Sequence, residues 1–208
     1  MGKLIAVVGA SGAGKTSLVH ALTKTGNFAV AYEQHTERPF QALFKRAPLY
    51  ALANQMDYLL YRTEQEKELR ASAKIGLVDG GLDLDFHGFT RLFHARGMLS
   101  DPEFDLCRRF YELTRQFLPM ADLIVHLIAN DEVIRQRLAR RERINIASVE
   151  DTDLLNSFLD EWLGTISPSK LLRLDVSEES PGYEKSLQVI LTQVDHQSFS
   201  NVVSNGKP

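Results

Sequence analysis

The stretch KLIAVVGASGAGKTSLVHALT (Lys3–Thr23) decides the fold. Its opening residues, Lys3–Gly9, are almost wholly apolar, which suits a strand covered on both faces. The run Gly9-Ala10-Ser11-Gly12-Ala13-Gly14-Lys15-Thr16 then matches G-x-x-x-x-G-K-[ST], and a helical pattern over Lys15–Thr23 follows at once. Gly9, Gly12 and Gly14 let the backbone curl, so that the amides of the loop, Ala10, Ser11 and Ala13 included, point at phosphate oxygens. The N-terminal field of the helix adds to that attraction. Lys15 is expected to reach the β- and γ-phosphates, Thr16 to offer its hydroxyl to magnesium, and Ser17 to follow them in the cofactor-binding set. The stretch implies binding of ATP or another nucleoside triphosphate with Mg2+.

Working outward, four more strand-like runs alternate with longer helical patterns: Phe28–Glu33, Ile75–Gly81, Asp122–Ala129 and Lys170–Val176. Five such strands predict an α/β protein with a parallel sheet wrapped by helices. Helices are expected over Leu49–Lys74, Phe86–Ala95, Pro102–Phe117, Glu132–Arg143, Asp151–Trp162 and Tyr183–Val194. In Ser100-Asp101-Pro102-Glu103 an acid cap precedes a proline in the first turn. No linker divides the chain, so residues 1–195 read as one domain, and the polar segment His196–Pro208 reads as a disordered tail.

Composition bounds the function. Twenty-four basic against 27 acidic side chains leave a net charge of −3, which gives no general attraction to nucleic acid polymers or anionic membranes. The apolar run near Met1 is too short for a signal peptide or a membrane helix. The single Cys107 excludes an internal disulfide and suits a reducing, cytoplasmic setting. Six histidines show no zinc-type spacing, and no metal site made by protein side chains alone is expected.

Carboxylates close two of the strands: Glu33 the second and Asp79 the third. Ligands of open α/β sheets collect at those strand ends, so both acids are expected near the phosphate loop. Asp79 suits an acid associated with magnesium, and Glu33 could take a proton from an attacking hydroxyl. Acids also end strands simply to cap the next turn. Gln55 and Arg62 lie seven residues apart on one helical face, about 10 Å along the axis, and a carboxamide there could pair with a base edge. Taken alone, the same pair also suits an ordinary solvated face. Arg135, Arg137, Arg140, Arg141 and Arg143 crowd five positive charges into nine residues. They read as a solvated helix or as an arginine lid closing over a triphosphate.

In this order the residues resemble the deoxynucleoside kinase family, the deoxycytidine, deoxyguanosine, deoxyadenosine and thymidine-type enzymes. YEQHTERPF (Tyr32–Phe40) is similar to the family's second-strand Glu and Asn-Pro-aromatic element. YALANQMDYLLYR (Tyr50–Arg62) resembles its Gln-x6-Arg helix, and RLARRER (Arg137–Arg143) its arginine lid. The segment Phe93–Leu127 is similar to its Gly-x-Met/Leu helix and the Pro-x-x-Asp-Leu that leads into the next strand. The resemblance implies a P-loop fold with strand order 2-3-1-4-5, ATP as donor, magnesium, a nucleoside acceptor and a homodimer formed through helices. It implies Glu33 as the base on the nucleoside 5′-hydroxyl, Gln55 and Asp85 as the base-reading pair, and Phe89 as an aromatic wall. Arg62 would orient Asp85, Arg137, Arg141 and Arg143 would hold the donor, and Lys15 and Arg141 would share the catalytic work with Glu33.

Three departures stand beside the resemblance. Asp79-Gly80-Gly81 replaces the family's acid-Arg-Ser, Phe44-Lys45 stands near the place of a sugar-binding tyrosine, and Ile144-Asn145-Ile146 follows the lid where an acid is expected. They keep two alternatives open. One is a kinase for a nucleoside monophosphate or another small hydroxylated acceptor, with Lys45 or Arg38 meeting a phosphate in the space at Gly80. The other is a nucleotide-binding sensor without the transfer step.

Overall fold

Leu4–Gly9 (β1) forms the middle strand of a five-stranded parallel sheet of order β2-β3-β1-β4-β5, with β2 at Phe28–Ala31, β3 at Ile75–Asp79, β4 at Leu123–Ile128 and β5 at Leu171–Asp175. The order is the expected 2-3-1-4-5. The computed structural model describes residues 1–26, 28–32, 37–139 and 149–203, and of residues 149, 150 and 196–203 it describes the backbone only.

Every residue of β1 is buried, as the unbroken apolar run requires for a strand packed on both faces. Ile5 and Val7 point into a core shared with Leu18 and Leu22 of α1 (Lys15–Thr23) and Ile190 of the last helix. Leu4, Ala6 and Val8 point the other way, against Leu69, Leu159 and Trp162. The edge strands β2 and β5 are only half-buried, so the apolar runs predicted for them face solvent along part of their length.

The remaining helices are α2 (Pro39–Phe44), α3 (Ala51–Ala71), α4 (Leu82–Leu84), α5 (Arg91–Ala95), α6 (Asp101–Phe117), α7 (Asp131–Ala139), α8 (Val149–Gly164) and α9 (Glu184–Val203). Two departures from expectation concern helix ends. Ser100, not Asp101, caps α6: Glu103 Oε2 accepts from the Ser100 amide at 2.8 Å and from its hydroxyl at 2.7 Å, and Asp101 is the first helical residue. The tail expected from His196 is helical through Val203 as the continuation of α9, and residues 204–208 lie outside the described residues. Among the described residues no helix is long and apolar enough to cross a membrane.

Candidate active site

The sheet register assembles the site. Val7 of β1 pairs with Asp79 of β3, so the acid that ends β3 stands beside the start of the phosphate loop. The Gly80 amide donates to the Val7 carbonyl at 2.9 Å and ties the two loops together. Thr16 Oγ1 donates to Asp79 Oδ2 at 2.6 Å. Asp79 is 1 % exposed, and its Oδ1 has no hydrogen-bond partner among the described residues. A buried hard oxygen left unsatisfied beside a hydroxyl is what a magnesium ion or its bound water takes up, so the residues fit that ion. Lys15 Nζ donates to the Gly9 and Ala10 carbonyls at 3.0 Å each, which holds the ammonium over the loop. Ser17 lies exposed in the first turn of α1.

Three acids in LVDGGLDLDF (Leu77–Phe86) take three different partners. Asp79 faces Thr16, as above. Asp83, 4 % exposed, accepts from Tyr111 Oη at 2.7 Å and from Arg115 Nε at 2.9 Å. Asp85 accepts from Arg62 Nε at 2.7 Å. Arg115 also forks onto both oxygens of Glu66, at 2.7 and 3.0 Å. Burial opposes its charge, and the carboxylates of Asp83 and Glu66 outweigh that, so its pKa is raised. This Arg115 cluster ties α3, α4 and α6 together behind the site. Its position explains why an acid-rich segment contributes two, not three, carboxylates to the cleft.

The polar stripe of α3 backs the other wall, to which it brings Arg62. Gln55 is buried, and its Nε2 donates to Thr90 Oγ1 at 2.8 Å and to the Asp85 carbonyl at 3.3 Å. Arg62 links Asp85 to Gln65, whose Oε1 accepts from Arg62 at 3.0 Å. Gln65 Nε2 in turn donates to the Tyr32 carbonyl at 3.1 Å, at the end of β2. Asp85 opens one π-helical turn, Asp85–Thr90, that continues α4 into α5. Gln65, Thr90, Glu66 and Arg115 were missed in the sequence. The signal for the α3 residues was there, because positions 55, 62, 65 and 66 recur at helical spacing.

One cleft joins these groups: Gly9, Ser11, Lys15 and Asp79 on the loop side, and Arg62, Gly80, Asp85, Phe89 and Leu155 on the other. As the side chains stand its free volume is about 40 Å³.

Comparison with known proteins follows the same outline. The deoxynucleoside kinase family model matches residues 5–199. The chain belongs to the deoxynucleoside kinase family. As a deoxynucleoside kinase it is a phosphotransferase acting on a nucleoside. It is 27 % identical over 207 residues to the deoxyadenosine kinase of Dictyostelium discoideum, covering 98 % of this chain and 84 % of that one. Its fold is similar to deoxyadenosine kinase of M. mycoides with products dCMP and a flexible dCDP bound, at TM-score 0.76 and 18 % identity over 93 % of this chain and 99 % of the other. The same kinase with bound dATP gives TM-score 0.74 and 19 % identity over 92 % and 99 % of the two chains.

Within this deoxynucleoside kinase, Glu33, Arg141 and Arg143 lie outside the described residues, as do Arg140 and the Ile144-Asn145-Ile146 departure. Arg137, at the end of α7, donates to the Ala13 carbonyl at 2.8 Å and to the Val176 carbonyl at 3.0 Å. It therefore braces the phosphate loop against the strand end that follows β5. Ile134 and Leu138 of the same helix pack over Gly12. Arg38 is gripped by both oxygens of Asp57 at 2.5 and 2.6 Å, and Lys45 by Glu37 at 2.6 Å. Phe44 packs against Phe93 with ring centroids 5.2 Å apart and the ring planes tilted by 46°.

Proposed function

We propose that this deoxynucleoside kinase transfers the γ-phosphoryl group of ATP to the 5′-hydroxyl of a deoxynucleoside. The observation that carries the reading is the cleft that runs from Lys15 and Asp79 to the Arg62–Asp85 pair, because it joins a phosphate site to a polar pocket fit for a base. Thr16 and Asp79 would hold magnesium, which when bound neutralises charge on the β- and γ-phosphates. Lys15 and the loop amides would bind and orient the triphosphate, and Glu33 would accept the proton of the 5′-hydroxyl. Arg137, Arg141 and Arg143 would close the donor side and exclude water. Phe89 would line the base, with Gln55 and Asp85 reading its edge. Deoxyadenosine is the first acceptor to try, since that is the substrate for which the Dictyostelium relative is named.

The monophosphate reading loses support at Arg38, which both oxygens of Asp57 hold, whereas the exposed Lys45–Glu37 pair would yield readily to a phosphate. A homodimer through α3 and α6 is favoured by Leu60, Leu106, Leu113 and Phe117, large apolar side chains left exposed on those two helices. A cytoplasmic setting in nucleotide salvage agrees with the one cysteine, Cys107, whose buried thiol is pushed up to about 11. A thermal-shift screen of deoxynucleosides in the presence of ADP and magnesium tests the acceptor class. The reading requires a deoxynucleoside to raise the melting temperature, and a shift by monophosphates alone would refute it.

A further inference from the structure

Thr90 is fully buried, and its hydroxyl stands between the Gln55 carboxamide and the backbone carbonyl of Asp85, a residue that lines the cleft. Oγ1 donates to the Asp85 carbonyl at 3.0 Å and accepts from Gln55 Nε2 at 2.8 Å. Nε2 itself lies 3.3 Å from the same carbonyl oxygen. A carboxamide turned the other way would set Oε1 against that carbonyl, and the Thr90 hydroxyl could donate to it only by giving up its own bond to the carbonyl. Oxygen would face oxygen in a buried place, and the unmatched groups would cost more than an ordinary hydrogen bond contributes. The orientation of the Gln55 amide is thus dictated by its neighbours, with nitrogen toward Thr90 and Oε1 turned away from it.

The geometry points to Thr90 as a positioning residue for base selection: it locks Gln55 so that Oε1, together with the Asp85 carboxylate, offers acceptors to the acceptor base. Bases that carry an exocyclic amino group at the edge being read, adenine and cytosine, donate to that pair. Guanine and hypoxanthine would set a carbonyl oxygen against Oε1. The assignment rests on the proposed nucleoside kinase activity and adds to it the class of base and the side chain that enforces it. The π-helical turn contributes directly, because it brings Thr90 Oγ1 back to the carbonyl of the residue that opens the turn, Asp85.

The test compares wild type with Thr90→Val, Thr90→Ala and Thr90→Ser on deoxyadenosine, deoxycytidine, deoxyguanosine and deoxyinosine at saturating ATP and magnesium. If wild type phosphorylates thymidine but none of the four, this assignment fails and the proposed function stands; if it phosphorylates no deoxynucleoside at all, the proposed function fails and this assignment with it. With wild type active, Thr90→Val and Thr90→Ala are expected to raise KM for the amino-bearing nucleosides about 5- to 10-fold while kcat stays within about 2-fold, as the loss of one buried hydrogen bond implies. The preference for amino over oxo bases falls by the same factor. Thr90→Ser keeps the hydroxyl and is expected to retain the wild-type preference. The assignment is overturned if the Val and Ala variants change all four nucleosides equally, if kcat alone falls, or if Ser is no closer to wild type than Ala.

Discussion

Arg62 Nε donates to Asp85 Oδ2 at 2.7 Å with the two side chains only 4 % and 8 % exposed. A buried ion pair of this kind contributes little by itself, but removing one partner strands the other and costs about 3–5 kcal/mol. Arg62→Met is therefore expected to lower the melting temperature markedly and to raise nucleoside KM at least tenfold. The double variant Arg62→Met/Asp85→Leu should regain much of the stability and none of the activity. Chemical denaturation of both variants alongside initial-rate kinetics checks the split; equal stability of the single and double variants would count against an uncompensated Asp85.

Asp79→Asn keeps the shape of the side chain and its contact with Thr16 while removing the charge. With the unsatisfied Oδ1 serving magnesium, kcat should fall about 100- to 1000-fold, a loss of the size seen when one electrostatic stabiliser is deleted. The half-saturating magnesium concentration should rise with little change in stability. A magnesium titration of both proteins decides; an unchanged magnesium requirement would remove Asp79 from the metal site.

Arg115 serves as the control for Arg62. It bonds Glu66 and Asp83 behind the site and lies outside the cleft. Arg115→Met should cost several kcal/mol of stability, by the same reasoning about stranded buried carboxylates, and leave nucleoside KM within about 2-fold below the melting temperature, because no substrate contact is lost. A KM shift as large as that of Arg62→Met would mean that the two clusters act as one.

His87 makes stability depend on pH. Burial first, with the nearby Arg91 and Arg115, lowers its pKa to about 4 from 6.5. Between those values the unfolded chain binds the proton and the folded chain does not. Its contribution is therefore complete above pH 6.5 and is lost as pH falls toward 4. The full shift corresponds to about 3 kcal/mol. His126 is also lowered by burial and adds in the same direction. His87→Phe should flatten the stability curve over this window without abolishing its slope. Denaturant unfolding at a series of pH values measures it, and an unchanged slope would show that His87 does not titrate between the two states.

How legible the site was differs from residue to residue. The phosphate loop and the five strands could be anticipated because each depends on local pattern: continuous apolar runs, a glycine-rich turn and a helix start. Their order is not local, and only the family resemblance implied it. The destinations of the acids were legible only in part. The end of its strand placed Asp79 beside the phosphate loop and the resemblance paired Asp85 with Arg62, but only the packing of α3 and α6 gives Asp83 to Arg115. Gln65 and Glu66 were hidden for a related reason, since a polar stripe at helical spacing reads as a solvated face until the helix is seen to bury it.

Gly80 and Gly81 carry the clearest correction. They suggested emptied space where the family has an arginine. Their φ angles are +86° and +97°, a left-handed region that side chains rarely adopt. A Cβ on residue 80 would stand 3.3 Å from Leu84 Cδ2 and 3.6 Å from an Arg62 guanidinium nitrogen. The turn needs glycine, and Arg62 already brings a guanidinium to that place from α3. Restoring an arginine at position 80 would strain the backbone before it could brace a substrate.

The most direct measurement is the rate of ADP formation from ATP and magnesium with each deoxynucleoside as acceptor, with the phosphorylated product identified by mass spectrometry. The expected result is acceptor-dependent ADP formation matched one to one by a deoxynucleoside 5′-monophosphate. The result that would contradict it is ADP formation unaffected by any nucleoside, or phosphate appearing only on an added monophosphate.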